Sequence, residues 1–272
     1  MTGREIIWPV LAASGLLEVR IAETETEIEA AQKLRYRVFY EEMSAIPSPQ
    51  MREQRRDFDR YDEICDHLLV VDHGARDANG EATVVATYRL LRGEVAAKHG
   101  GFYTSGEYDI APMLRAHPRG TRFLELGRSC VLASYRAKSI TMQLLWRGLM
   151  VYVGQYKTEV MFGCASLPGT NVEVLRLPLS YLYHFHRVPA DVPVRALPNL
   201  YVEMNRVPKE AIDAKEALRS LPPLIKGYVR AGAYIGEGAV VDKQFDTTDV
   251  MIYFPVSRID PRWRKHFSRR RD

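Results

Sequence analysis

Glu125 and Arg128 stand three residues apart in the run Phe123-Leu-Glu-Leu-Gly-Arg-Ser-Cys-Val-Leu132, which is otherwise rich in apolar residues. A carboxylate in an apolar strand is costly unless it is paired or used. Used, it can relieve an α-amine of its proton, because such an amine has a pKa of roughly 8 and little driving force is needed. Paired, it forms a structural ion pair with Arg128 or with Arg89, which sits in the apolar run Ala86-Thr-Tyr-Arg-Leu-Leu91. The planar fork of Arg128 suits either Glu125 or a substrate carboxylate. Beyond this strand, Arg136, Ser139 and Thr141 lead into an apolar run through Val153. Backbone N–H groups at a helix start attract anions, so this strand–turn–helix has the form of a site for an acyl-thioester arm and its phosphate. Ordinary helix capping is the plainer role for Ser139.

These residues need elements to hold them. Strands are expected at 17–22, 67–72, 83–91, 123–132, 160–165, 201–205 and 249–254, from short β-rich runs bounded by turn residues. Helices are expected at 24–43, opened by a Thr24-x-x-Glu27 capping box, and at 112–117, 139–155 and 222–231. A further helix over 170–185 is expected to be interrupted by Pro178. Residues 44–60, with two prolines and many charges, read as a long loop and a mobile cover. Asp260-Pro261 would cap a terminal basic helix. Strands and helices interleaved in this way imply a mixed α/β fold with one sheet.

At 272 residues and 46% hydrophobic content, the chain can bury one sizeable core. The expected division is an N-terminal extension over 1–16, a folded domain over 17–257 and a basic tail over 258–272. No long uncharged apolar run suits a membrane span. Pro9 and a small basic region argue against reading the first residues as a signal peptide. Cys65, Cys130 and Cys164 lack metal-ligand spacing and read as reduced, structural thiols, and no histidine lies near Cys130 in sequence to activate it. His184 and His186 make a poor metal signature, so no metal is expected. The net charge is +4, yet residues 258–272 alone carry seven Lys/Arg against two Asp. No basic stripe runs through the folded body, which excludes nucleic acid as a natural partner. Trp263 and Phe267 stand four apart among these cations, a pattern suited to an anionic membrane or an acidic partner, or simply to solubility.

Taken together, the segment from Glu125 to Thr141 resembles the GNAT acyltransferase superfamily, whose phosphate turn commonly reads Arg/Gln-x-x-Gly-x-Gly/Ala. Here Arg136 holds the first position, while Ser139 and Thr141 stand where glycines are expected. Glycines permit close approach to a pyrophosphate, so their replacement points from coenzyme A toward an acyl carrier protein with its single phosphate. Two branches of the superfamily are similar to this chain. The acyl-homoserine-lactone autoinducer synthases share Arg35 or Arg37 with Phe39, then Asp59-Arg-Tyr-Asp62, Arg89 and Glu125-Leu-Gly-Arg128. The ornithine Nα-acyltransferases look closer, with Glu125-Leu-Gly-Arg-Ser-Cys-Val131 followed by Pro222-Pro-Leu-Ile-Lys-Gly-Tyr228-Val-Arg230-Ala-Gly-Ala233 and Asp242-Lys-Gln-Phe245-Asp-Thr247-Thr-Asp249.

The resemblance implies a GNAT-like, mostly antiparallel sheet whose central strands splay apart, flanked by helices. It implies a bacterial enzyme of ornithine-lipid synthesis that joins a 3-hydroxyacyl chain, carried as a phosphopantetheine thioester on acyl carrier protein, to the α-amine of L-ornithine, with no permanently bound cofactor. Glu125 and Arg128 would be catalytic. Asp59, Asp62, Arg89, Arg37 and Phe39 would bind the amino acid, and Cys130, Val131, Leu132, Arg136, Ser139 and Thr141 the acyl-pantetheine arm. Backbone N–H groups near Cys130–Leu132 would supply the oxyanion contact. The enzyme would work in the cytoplasm, peripheral to the inner face of the membrane. A synthase acting on another amine, and a non-catalytic GNAT-like binding domain, remain the alternatives.

Overall fold

The computed structural model describes residues 10–78 and 80–259. The chain begins with β1 (Ala12–Ser14), β2 (Leu17–Ile21) and α1 (Glu25–Tyr36), which runs on into a π-helical turn, Arg37–Glu42. Then come α2 (Pro49–Gln54), β3 (Asp66–Arg76), β4 (Ala82–Arg92), α3 (Gly93–Ala96), β5 (Tyr108–Asp109) and α4 (Ala111–Arg115). The central part is β6 (Phe123–Val131), α5 (Ala133–Arg136), α6 (Ser139–Gln155) and β7 (Val160–Pro168). The remainder is α7 (Arg176–His186), β8 (Arg195–Ala196), β9 (Tyr201–Val202), α8 (Ala214–Ser220), α9 (Pro223–Ala231), β10 (Tyr234–Asp242) and β11 (Thr247–Pro255).

The strand order is β1-β2-β3-β4-β6-β7-β11-β10-β8-β5, with β9 on β10. Pairing is parallel at β6–β7 and β8–β10, and antiparallel at β1–β2, β2–β3, β3–β4, β7–β11 and β10–β11, which makes the sheet mixed as expected. Contacts divide the chain into two units. Among the described residues, one takes those up to Leu91 and Gly127–Lys157; the other takes Arg92–Leu126 and those from Thr158 onward.

In the first unit, β3 reads Leu68-Leu-Val-Val71 with every side chain buried. Alternate residues point to opposite faces of a strand, and both faces are covered here. Leu69 and Val71 pack with Ala31 of α1. Leu68 faces α6, where a Cβ on Gly148 would lie 2.6 Å from the Val19 side chain and 3.1 Å from that of Leu68. Helix α6 is buried along Leu144, Leu145, Leu149 and Tyr152 because its apolar residues leave little polar surface.

In the second unit, β7, β11 and β10 form an antiparallel core with Phe162, Val250, Met251 and Phe254 buried. The fully buried Tyr108 lies with its hydroxyl 3.0 Å from the Gly238 carbonyl and 3.1 Å from that of Asp249. The parallel ladder between β6 and β7 holds just three pairs, Phe123↔Val160, Leu124↔Met161 and Glu125↔Phe162. Directly after the last pair, a Cβ on Gly163 would meet the Leu126 carbonyl at 2.2 Å.

Several expectations need correction. The segment after Ser44 is not a plain loop: Ser48 caps α2 by accepting from the Met51 N–H, and Pro49 takes the first helical position, where its missing donor is harmless. Pro178 does not interrupt α7, because the helix starts at Arg176 and proline falls in its first turn. Strand β10 was not expected, since Gly236 and Gly238 broke the apolar alternation that would have shown it. The expected terminal helix, most of the basic tail and the start of the N-terminal extension lie outside the described residues.

Candidate active site

Three arginines and three aspartates from separate elements of the first unit converge. Arg35, on the inner face of α1, is fully buried. Its Nε donates to Asp57 Oδ2 at 2.7 Å, and its Nη2 donates to the Asp57 carbonyl at 2.6 Å and to Asp62 Oδ2 at 2.9 Å. Its Nη1 lies 2.8 Å from Asp62 Oδ1, a charge contact without hydrogen-bond alignment. Arg89 of β4 donates to Asp59 Oδ1 at 2.7 Å and lies over the Tyr61 ring. Arg128 of β6 donates to Asp59 Oδ2 at 3.3 Å and brings its Nε within 3.3 Å of Asp57 Oδ2. Tyr40, in the π-helical turn, donates to Asp57 Oδ1 at 2.9 Å. The network is balanced in charge, as buried ions must be.

Burial by itself would raise both Asp57 and Asp62. Arg128 and Arg35 reverse this for Asp57 and hold it low. For Asp62, Arg35 and Arg89 outweigh burial and bring the carboxyl down to about 2. His67 of β3 is pushed down, chiefly by burial, and stays neutral. Its Nε2 donates to the Asp62 carbonyl at 3.0 Å, which leaves the buried Nδ1 without a proton or a partner. Asp59 is the aspartate within reach of solvent, 23% exposed against 1% for Asp57 and 4% for Asp62.

Arg128 also carries backbone strain. Its φ of 51° is a left-handed conformation inside a strand, which costs a non-glycine residue about 1–3 kcal/mol. The paired aspartates over-determine its position. Strain of this kind collects at functional sites.

Glu125 lies in the second unit and is buried. Its Oε2 accepts from the Tyr103 N–H at 2.9 Å and its Oε1 from the Thr104 N–H at 2.6 Å, at the start of the 3-10 turn Tyr103–Gly106. These bonds from backbone donors anchor the carboxylate.

At the end of β6, Cys130, Val131 and Leu132 are buried. Burial pushes the Cys130 thiol up to about 12, which disfavours a thiolate nucleophile. The Leu132 N–H donates to the Val85 carbonyl at 2.9 Å, so this amide is already committed. Arg136 donates through Nε to the Val131 carbonyl at 2.9 Å and through Nη2 to Glu42. Helix α6 has Lys138 at its N-cap and no side chain capping its first turn, the condition that favours an incoming anion. Ser139 is the first helical residue rather than the cap, and exposed; Thr141 is fully buried, its Oγ1 without a hydrogen-bond partner.

Of the expected site residues, Asp59, Asp62, Arg89 and Arg128 come together. Arg37 does not join them: its side chain is 61% exposed and lies 3.6 Å from Glu42. Arg35 takes the buried position instead, because the helical turn directs it inward. Phe39 is half-buried in the π-helical turn. Asp57 and Tyr40 were missed; the alternation Asp57-Phe-Asp59 beside two expected acids was the available signal. Among the described residues, Glu107, Asp242 and Asp249 bring ligand atoms within 4.8 Å of one another. Asp242 serves the Gln244 and Phe245 amides and Asp249 accepts from the Thr247 hydroxyl, so both act as turn and strand acceptors. No described helix is long and apolar enough to cross a membrane.

Residues 34–147 match the model of the acetyltransferase (GNAT) domain. The chain is similar to the L-ornithine N(alpha)-acyltransferase of Agrobacterium fabrum, 50% identical over 93% of this chain and 85% of that protein. It is 49% identical to the protein of the same name in Rhizobium meliloti, over 95% of this chain and 86% of the other. Among solved structures, FeeM, an N-acyl amino acid synthase from uncultured soil microbes, covers 92% of this chain and 94% of its own, at 11% identity and a TM-score of 0.48. Half-identity across nearly the whole length is decisive, and the chain belongs to the L-ornithine Nα-acyltransferase family of GNAT proteins.

Proposed function

We propose that this chain forms an amide between the α-amine of L-ornithine and a 3-hydroxyacyl group delivered by acyl carrier protein. The observation that carries the reading is its 50% identity, over 93% of its length, with a protein named as an ornithine acyltransferase. The geometry supports it in three respects. Asp59, the solvent-reachable acid of the network, suits the second, cationic amine of ornithine. Arg89 and Arg128, on the same aspartate, suit the amino-acid carboxylate. The uncapped first turn of α6 suits one phosphate of a pantetheine arm.

The reaction then follows from the groups present. The neutral α-nitrogen attacks the thioester carbonyl, the nitrogen–carbon bond forms and the carbon–sulfur bond breaks. Glu125, directly or through a water, takes the amine proton, and the departing thiolate recovers one. The backbone N–H of Val131 faces the oxyanion in this scheme, since alternate strand amides share an edge and the Leu132 amide is already engaged with Val85 of β4. The basic segment 258–272 would hold the enzyme at the inner face of an anionic membrane, where its lipid product belongs.

The test is direct. Purified protein is incubated with 3-hydroxyhexadecanoyl carrier protein and a panel of amino acids, and amide products are identified by mass spectrometry. Product with ornithine is expected. Product with other amines but not ornithine would overturn the substrate assignment, and product from acyl-CoA alone would overturn the donor.

A further inference from the structure

Glu42, the last residue of the π-helical turn, was no candidate in the sequence, yet it pairs with Arg136, just before the helix start where the donor's phosphate is proposed to bind. Its Oε2 accepts from Nη2 of Arg136, the residue that heads the turn before α6, and its Oε1 lies 3.6 Å from Nε of Arg37. Glu42 is largely buried, with its side chain 17% exposed, while Arg136 and Arg37 are 45% and 61% exposed. Arg136 also donates through Nε to the carbonyl of Val131, the neighbour of Cys130 at the end of β6. Lys138, the other cation of the turn, places its Nζ 4.0 Å from the centre of the Tyr135 ring, and the Tyr135 hydroxyl donates to Asp72 at 2.6 Å. The neighbouring Glu41 is itself paired, with Arg55.

We propose that Glu42 is a donor-specificity residue: by neutralising Arg136 it leaves the Ser139 and Ile140 amides at the start of α6 for a single phosphodiester, the Thr141 amide being bonded to the Lys138 carbonyl, and withholds the cation that a pyrophosphate would need. The inference rests on the acyl-transfer reading above and deepens it. Two features act in the same direction. Ser139 and Thr141 carry side chains where a bulkier anion would need a bare backbone, and Glu42 holds the guanidinium of the turn. A pantetheine arm on a carrier protein brings one phosphate to this place. Coenzyme A has a pyrophosphate in place of that phosphodiester and adds a ribose phosphate, which Arg136, held by Glu42, is not available to attract.

The experiment compares the full-length protein with Glu42→Gln and with the double variant Glu42→Gln/Arg136→Ala. Each is assayed with ornithine and either 3-hydroxyhexadecanoyl carrier protein or the matching acyl-CoA. Glu42→Gln is expected to raise kcat/KM for the CoA donor about tenfold relative to the carrier donor, the scale of one charge-assisted contact. The double variant should return to the native ratio, because the gain needs the released guanidinium. An unchanged ratio in Glu42→Gln, or a gain that survives loss of Arg136, overturns the proposal. Calorimetric titration with adenosine 3′,5′-bisphosphate reads the same claim without turnover. Tighter binding by Glu42→Gln alone supports it, and equal binding by all three proteins overturns it. Failure of every protein to acylate any amine would instead remove the acyl-transfer reading, and the titration would still decide the role of Glu42.

Discussion

At the scale of single residues, the buried network and Glu125 make separable predictions. Asp62 has a folded-state pKa of about 2, below the roughly 3.9 of an unfolded aspartate. A depressed carboxylate adds stability that is complete above pH about 4 and disappears as pH falls through about 2. The shift corresponds to about 2.5 kcal/mol, so the urea midpoint should drop steeply between pH 4 and pH 2. Asp62→Asn should flatten that limb. It should also cost about 3–5 kcal/mol at neutral pH, because Arg35 stays buried with one partner fewer. Glu125→Gln tests a different function. If Glu125 removes the amine proton, kcat falls by about 10²–10⁴-fold and the acid limb of the pH–rate profile disappears. A purely structural carboxylate would leave the pH profile intact; the thermal midpoint falls in either case, because the amide nitrogen of Gln cannot accept from the Tyr103 or Thr104 N–H.

At the scale of elements, α6 shows why local pattern and tertiary contact must both be consulted. Its bounds, 139–155, follow from the apolar run itself. Two glycines inside it nevertheless have opposite meanings. A Cβ at Gly154 meets nothing within 4 Å, so Gly154→Ala should stabilise by about 0.5–1 kcal/mol through helix propensity and a less free unfolded chain. A Cβ at Gly148 would press on the stiff, branched Val19 side chain, and overpacking costs about 1–3 kcal/mol. Gly148→Ala should therefore lower stability or gain nothing. Urea melts of the two variants check the contrast, and equal stabilisation by both would disprove the close approach of α6 to β2. The π-helical turn after α1 is a similar case. The capping box at Thr24 and Glu27 was legible and forms as expected. The widening at Arg37–Glu42, which presents Tyr40 to Asp57 and Glu42 to Arg136, carries no local signal.

At the scale of the whole molecule, charge is concentrated at one end. Seven Lys/Arg fall within residues 258–272 of a chain whose total is +4. Each basic residue near an anionic surface is worth about 1 kcal/mol, screened by salt. A chain ending at Ile259 should sediment less with vesicles containing anionic lipid, and the difference should shrink as salt rises. Equal sedimentation of the two forms would remove the membrane role, leaving solubility as the function of the tail. Catalytic constants on a soluble amino acid and carrier protein should change little.

The amino-acid sequence by itself determined the family, the mixed α/β class, the strand–turn–helix from Phe123 to Gln155 and four members of the charged network. These are features written in contiguous motifs and in apolar periodicity, which local sterics and burial translate directly into structure. Only tertiary structure decided that Arg35 rather than Arg37 enters the network, that Asp57 and Tyr40 complete it, and that Arg128 is strained. It also decided that Glu125 is tied to the Tyr103 and Thr104 amides and that Glu42 occupies Arg136. Each of these depends on which side chain a helical turn or a strand register aims at a partner from another element. Such pairings are chosen by the need to satisfy buried charge and buried N–H groups, a requirement that exists only once the elements have packed.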